Sequence, residues 1–172
     1  MPDILSPKQR SYAMSRVGHK NTKPEMIVRR GLHSYGLRYR LENKKLPGTP
    51  DIALARYHVA IFVHGCFWHR HGCRKNAVPA TNTEFWSAKF ERNVVRDRSA
   101  VISLHELGWR VLVIWECAIV GRKRIPLCLL LDKVCQFIFS DSSSGEIAGS
   151  ERCQVTSAHH SVPSTSMARQ MP

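Results

Sequence analysis

The sequence predicts a single α/β domain tied together by a metal-clamped loop. Helix-period and strand-period segments alternate from Thr22 to Ile138. Two capping-box patterns, Thr22-Lys-Pro-Glu25 and Thr81-Asn-Thr-Glu84, each open a helical segment. Between them a short loop crowds Cys66, His69, His71 and Cys73 around Phe67 and Trp68. At 172 residues the chain suits one core rather than two.

Residues 1–20 read as a basic arm, with Lys8, Arg10, Arg16 and Lys20 interleaved with Tyr12 and Met14. Basic arms of this kind lie in DNA grooves. The first helix follows, with Ile27, Val28, Leu32 and Tyr35 at helical spacing until Gly36 stops it. Glu25 falls in its first turn, where capping and compensation of the helix dipole account for it without a catalytic role.

Arg38-Tyr-Arg-Leu41 alternates as a strand does, and Leu46-Pro-Gly-Thr-Pro50 turns the chain into Asp51. Ile52–Ala55 and His58–Val63 read as two strands joined through Arg56-Tyr57. An antiparallel pairing brings the start of one beside the end of the next, so Asp51 and His64 are expected to face one small site.

After the Cys/His loop, the second capping box opens a long helix with Phe85, Phe90, Val94, Val101, Leu104 and Leu107 on its apolar side, ended by Gly108. Trp109–Glu116 is a buried-type strand leading to Cys117, and Leu127–Ile138 is an amphipathic helix in which Cys128 and Cys135 read as core. The body of the domain is thus 21–139, after an arm of residues 1–20. Residues 140–172 are rich in Ser, Gly and Pro with scarcely an apolar period, and are expected to form a disordered tail.

The formal charge is +13, and it belongs to the body: residues 1–50 carry net +8 and 51–139 net +6. Counterion release from a nucleic acid rewards that distribution. There is no apolar run of about 18 residues and no signal-peptide core at the N-terminus, which points to a cytoplasmic protein without a membrane partner. In a reducing compartment the six cysteines read as thiols or metal ligands before disulfides.

Structural zinc takes four N/S ligands in a tetrahedron. Cys66, His71 and Cys73 make a compact group, and Cys117 is the natural fourth from the strand end. Spacing alone does not choose between His69 and His71. We assign His71, which is two residues from Cys73 and on the same side of an extended loop, leaving His69 free to face Asp51 and His64.

With these residues laid out, the chain resembles the very short patch repair (Vsr) family of DNA mismatch endonucleases. The resemblance rests on Asn21-Thr-Lys-Pro-Glu25, Leu46-Pro-Gly48, Pro50-Asp51, His64-Gly-Cys-Phe-Trp-His69, Thr83-Glu-Phe-Trp86, Arg96-Asp97 and Trp115-Glu-Cys117, and runs from about residue 8 to 135. It implies a restriction-endonuclease-like core that nicks one strand beside a T:G mispair left by deamination of 5-methylcytosine.

It further implies that Asp51 binds catalytic Mg2+ with the residue at Val63, where valine is harmless if the backbone carbonyl is the ligand and damaging if a hydroxyl is, that His69 is or helps form the general base, that His64 assists at the phosphate and that Glu25 supports the site. Cys66, His71, Cys73 and Cys117 match the structural Zn2+ ligands. Phe67, Trp68 and Trp86 match aromatics that intercalate beside the mismatch; without the family they would be placed in the core. The expected partners are double-stranded DNA with a T:G mismatch and a MutL-type repair protein, and the enzyme is expected to act as a monomer on the bacterial nucleoid.

Two departures stand out. Val63 occupies a position where the family often has threonine. Phe62-Val63-His64 offers neither the acid nor the lysine of the usual nuclease motif. The rival readings are a non-catalytic zinc-containing DNA-binding module, which has no need of Asp51 beside His64 and His69, and a sequence-specific restriction endonuclease.

Overall fold

A computed structural model describes residues 8, 9, 12, 20–41, 44–73, 77–79 and 81–149. Most of the basic arm, and everything after Gly149, lies outside the described residues.

The first long helix, α1 (Lys23–Ser34), starts where the capping pattern places it: the Thr22 N–H donates to Glu25 Oε2 at 3.1 Å. Gly36, at φ +74°, turns the chain out of it. Strand β1 (Arg40–Leu41) pairs antiparallel with β2 (Ile52–Leu54), and β2 pairs antiparallel with β3 (Val59–His64). A 3-10 turn over Ala55–Tyr57 and a left-handed His58 make the reversal. Gly48 shapes the preceding turn: at φ +70° it has no steric room for a side chain, because a Cβ would come within 2.6 Å of Ala100 Cβ.

A four-residue helix, α2 (Cys66–His69), leaves β3, and the long α3 (Thr83–Glu106) carries the chain back to β4 (Arg110–Trp115). The short α4 (Glu116–Ile119) and then α5 (Leu127–Phe139) follow, and the chain closes with β5 (Ser144–Ile147). The sheet runs in the order β1-β2-β3-β4-β5, with β3, β4 and β5 parallel.

Side chains alternate across the sheet as the pleat requires. Val59, Ile61, Leu112 and Ile114 pack with Ile52 and Leu54 against Val28 and Leu32 of α1 and Leu130, Val134 and Ile138 of α5. Ala60, Phe62 and Val111 face Leu104 of α3. Arg110 locks the far end of α5: its guanidinium donates to the carbonyls of Phe137, Ile138 and Ser140 at 2.5–3.0 Å and to Tyr57 O at 3.1 Å, satisfying acceptors that a helix end leaves open.

The structure corrects four sequence-based expectations. The boundary at 140 falls too early, because Ser144–Ile147 is an integral strand with Ile147 7% exposed in the main core. A strand pairs through its backbone, so a segment of serine and glycine with one buried isoleucine can complete a sheet. The helix after the loop begins at Thr83, with Asn82 rather than Thr81 as the preceding cap; Asn82 sits at φ +53°, a conformation that asparagine tolerates and a β-branched threonine resists.

On α3 the inward aromatics are Trp86 and Phe90, whereas Phe85 and Leu107 are more than half exposed. The reason is local: Phe67 of α2 lies across this helix and draws Trp86 inward, with ring centroids 5.9 Å apart. Cys128 on α5 is exposed rather than core.

Candidate active site and metal centre

Strands β3 and β4 are parallel with His64 opposite Trp115. That register sets the whole site. Two residues beyond each of these positions lie Cys66 and Cys117, which are therefore neighbours in the short helices that leave the two strand ends. In parallel sheets ligands gather at the carboxyl ends of strands, and both clusters of this chain lie there.

The first cluster is Cys66, His71, Cys73 and Cys117, whose candidate ligand atoms all lie within 4.8 Å of one another. Cys66 and Cys117 are buried. Burial pushes the Cys66 thiol up to about 12, opposed by a backbone hydrogen bond at Cys117 and reinforced by the Cys117 and Cys73 thiols. Three thiols and an imidazole brought so close, with no carboxylate among them, are a donor set suited to a soft or borderline cation rather than to Mg2+.

The surroundings hold this cluster in shape. His71 stacks on the Trp115 indole, centroids 4.4 Å apart, and the Trp115 Nε1–H donates to Glu146 Oε2 at 3.1 Å. The Gly149 N–H donates to Cys117 Sγ at 3.3 Å, an amide-to-sulfur contact of the kind that supports a metal-bound thiolate. A Cβ at 149 would come within 2.5 Å of Cys117 O, so only glycine allows the chain this close. Glu146 and Gly149 are outer partners that the sequence reading placed in a tail.

The second cluster is His64, His69 and Asp97, again with ligand atoms within 4.8 Å. The His64 and His69 rings lie face to face, centroids 3.8 Å apart and tilted by only 9°. His69 Nδ1 and Asp97 Oδ2 are joined by a hydrogen bond. Asp97, although burial opposes its ionisation, is held below the usual carboxylate range by the hydrogen bond and charge of His69. Burial, with His69 next in weight, drives His64 down to about 3, so this ring is neutral at physiological pH.

Asp51 stands outside that group of ligand atoms but within electrostatic reach of His69. Its Oδ2 accepts the Val63 N–H at 2.7 Å, which places it at the end of β3 as the hairpin reading requires. Burial raises Asp51 to about 6, opposed by that hydrogen bond and by Arg29 and His69, and reinforced by Glu25. A carboxylate that resists ionising this strongly gains from a cation placed beside it. Val63 faces Asp51 through its backbone N–H, and an extended residue presents its N–H and C=O on one side.

Glu25 is buried at 3% exposure, with Oε2 taken by the Thr22 N–H and Oε1 paired with Arg29. Both of its oxygens are thus engaged within the protein.

The aromatics form one cluster over α2 and α3. Phe67 meets Trp68, Phe90 and Trp86 edge-on at 5.0, 5.1 and 5.9 Å, and Trp86 stacks on Phe90 at 5.7 Å. Trp86 is buried, whereas Phe67 and Trp68 are half-buried and present their outer edges. Lys89 Nζ lies 5.1 Å from the Trp68 ring centre.

Sequence reasoning missed two residues that fix α2. Asn93 Nδ2 donates to Trp68 O at 3.1 Å, and Asp97 holds His69 as described. A signal existed: Asn93 and Asp97 are one helical turn apart, on the same side of α3 as Phe90, which is the side facing the loop.

The family model for DNA mismatch endonuclease Vsr matches residues 2–75. The chain is 40% identical over 147 residues to the DNA mismatch endonuclease Vsr of Escherichia coli, covering 86% of this chain and 94% of that protein. It is 50% identical over 117 residues to the type II nicking enzyme V.XorIIP of Xanthomonas oryzae, covering 68% and 86%, and 43% identical over 117 residues to V.NmeAIP of Neisseria meningitidis, covering 68% and 84%. The similarity takes in β3, α2, α3 and β4 together with the strand ends that bear both clusters, and the chain belongs to the DNA mismatch endonuclease Vsr family.

Proposed function

We propose that this chain nicks one strand of duplex DNA beside a thymine mispaired with guanine, in a restriction-endonuclease-like α/β core braced by structural Zn2+. The observation that carries the reading is the His69–Asp97 pair stacked on a neutral His64 beside the Asp51 carboxylate. A DNA-binding module without catalysis has no use for that arrangement.

In this reading Asp51 and the Val63 carbonyl hold Mg2+, which when bound supplies charge to stabilise the leaving oxygen and to orient water. With Nδ1–H of His69 directed at Asp97, Nε2 keeps its lone pair and takes the proton from the attacking water. Asp97 fixes that tautomer and steadies the imidazolium that forms. His64, neutral and stacked on the same ring, donates a single N–H toward a phosphate oxygen and adds no competing positive charge. Glu25 supports the cleft through Arg29 rather than by touching the phosphate.

Cys66, His71, Cys73 and Cys117 hold Zn2+, which fixes the start of α2. The half-buried Phe67 and Trp68 then enter the duplex at the mispair, with Trp86 as the floor beneath them, because a wedge must replace the stacking it breaks. The net charge of +13 supplies affinity for the backbone.

The test uses end-labelled duplexes that differ only in one G·T or G·C pair. Mg2+-dependent nicking of the thymine strand in G·T alone is the expected result. Equal cleavage of both duplexes at a fixed sequence identifies a sequence-specific endonuclease instead, and binding without cleavage identifies the non-catalytic module.

A further inference from the structure

Arg29 is the one arginine among the described residues that is fully buried, at 3% exposure, and none of the steps above uses it directly. Its Nη1 donates to Asn21 Oδ1 at 2.6 Å, its Nη2 donates to the Asp51 backbone carbonyl at 3.3 Å, and it pairs with the Glu25 carboxylate. Its own carbonyl accepts the Tyr39 O–H at 3.0 Å. Taking two opposite charges out of water costs several kcal/mol per ion, and an apolar pair of similar volume serves a core at least as well. Arg29 even leaves Nε without a partner. A group retained at such cost is best explained by the geometry it imposes.

That geometry joins three places that the fold otherwise leaves separate. Asn21 is where the chain enters α1, at φ +55°. Glu25 is in the first turn of that helix, and Asp51 opens β2 on the other side of the turn region. Only a planar fork with several donors reaches all three at once; a lysine ammonium, a single point on a flexible stem, does not.

We propose that Arg29 is a positioning residue that clamps Asn21, Glu25 and the Asp51 backbone into one rigid unit, so that the entry to α1 sets the placement of the metal-holding carboxylate. The inference rests on the reading of Asp51 as a divalent-cation ligand. Among the described residues Asp51 is held by Val63 N–H at its side chain and by Arg29 at its carbonyl, and the second hold ties it to the start of α1.

The test compares wild type, Arg29→Lys and Asn21→Gly, with Asp51→Ala as the blank. Glycine accepts the left-handed backbone of position 21, so Asn21→Gly removes the amide acceptor without straining the chain and serves if Arg29→Lys fails to fold. Three quantities are measured: Mn2+ binding by electron paramagnetic resonance of the free ion, affinity for a G·T duplex without divalent metal, and the melting temperature. Loss of an outer partner weakens metal binding about 10- to 100-fold. Arg29→Lys is expected in that range and Asn21→Gly is expected to shift in the same direction, both with wild-type duplex affinity.

Wild-type Mn2+ affinity in either folded variant overturns the proposal, whatever happens to the melting temperature. A wild type that binds Mn2+ no better than Asp51→Ala overturns the cation assignment itself, which is a different failure.

Discussion

Two clusters stand one helical turn apart across α2, and they are built on opposite principles. Cys66, His71, Cys73 and Cys117 form a soft, inward site whose neighbours, Trp115, Glu146 and Gly149, close it off. His64, His69, Asp97 and Asp51 form a hard site in which burial and neighbouring charges bias three of the groups: one imidazole kept neutral, one carboxylate held ionised and another raised to about 6. The first site exchanges chain freedom for rigidity. The second holds buried ionisable groups whose electrostatic cost a cation beside Asp51 would relieve. Placing the stressed site on a helix anchored by the rigid one keeps stress from becoming motion.

The sharpest break in this comparison comes from Cys117→Ser. If the first site is purely structural, the variant loses its zinc and several kcal/mol of stability, since metal affinity and folding are linked. Stoichiometric zinc together with an unchanged melting temperature removes Cys117 from the site.

Asp51→Asn tests the stress in the second site from the opposite direction. The folded Asp51 titrates at about 6 against an ordinary 3.8, so folding favours its protonated form. Its contribution is fully favourable below about 3.8 and is lost as pH rises through about 6. In magnesium-free buffer at pH 7.5, Asp51→Asn should therefore be more stable than wild type by about 3 kcal/mol, at about 1.4 kcal/mol per pKa unit, while nicking is lost. Thermal melts should show the gain shrinking between pH 6 and pH 4; a variant less stable than wild type at pH 7.5 contradicts the stress.

Asp97→Asn keeps an acceptor for His69 but removes the charge that steadies its protonated form. Single-turnover nicking should fall about 100-fold, within the range for general-base catalysis, with zinc content unchanged. A wild-type rate leaves Asp97 as a packing residue only.

The smallest expected effect, Trp68→Ala, concerns the surface that both sites support. Preference for G·T over G·C should fall by about 1–3 kcal/mol, the usual worth of one base stacked on an aromatic ring. A large drop in melting temperature with preference intact would make Trp68 a core residue like Trp86.

The two sites also differed in how far the sequence revealed them. The Cys/His cluster advertises itself because tetrahedral metal sites draw on rare residue types at short spacing, and His71, which lies in that cluster, could be separated from His69 by its side of the loop. The hairpin placed Asp51 beside the end of β3 because antiparallel pairing is a local rule. Asp97 was harder to read as part of the site: an Arg-Asp pair on a helix ordinarily faces water, and only the packing of α3 against α2 turns it toward His69. Strand β5 was invisible for a related reason. Ser144-Gly-Glu has little strand propensity, and its place comes from backbone bonding to β4 and from the room beside Cys117 that Gly149 can enter.

If zinc is the cation the first site holds, the division of its four residues along the chain also sets an order of events during folding. Three ligands sit on one loop, while the fourth arrives only after the 24-residue α3 has returned the chain to the sheet. A nascent chain can therefore present an incomplete thiol-rich trap well before β4 docks, and parallel pairing of β3 with β4 is a distant, slow contact. Zinc supplied early should hold the loop in a native-like shape that shortens the search for Cys117, whereas zinc supplied late should meet a collapsed chain. Refolding of this protein is accordingly expected to be faster when the metal is present from the first instant than when it is added after collapse.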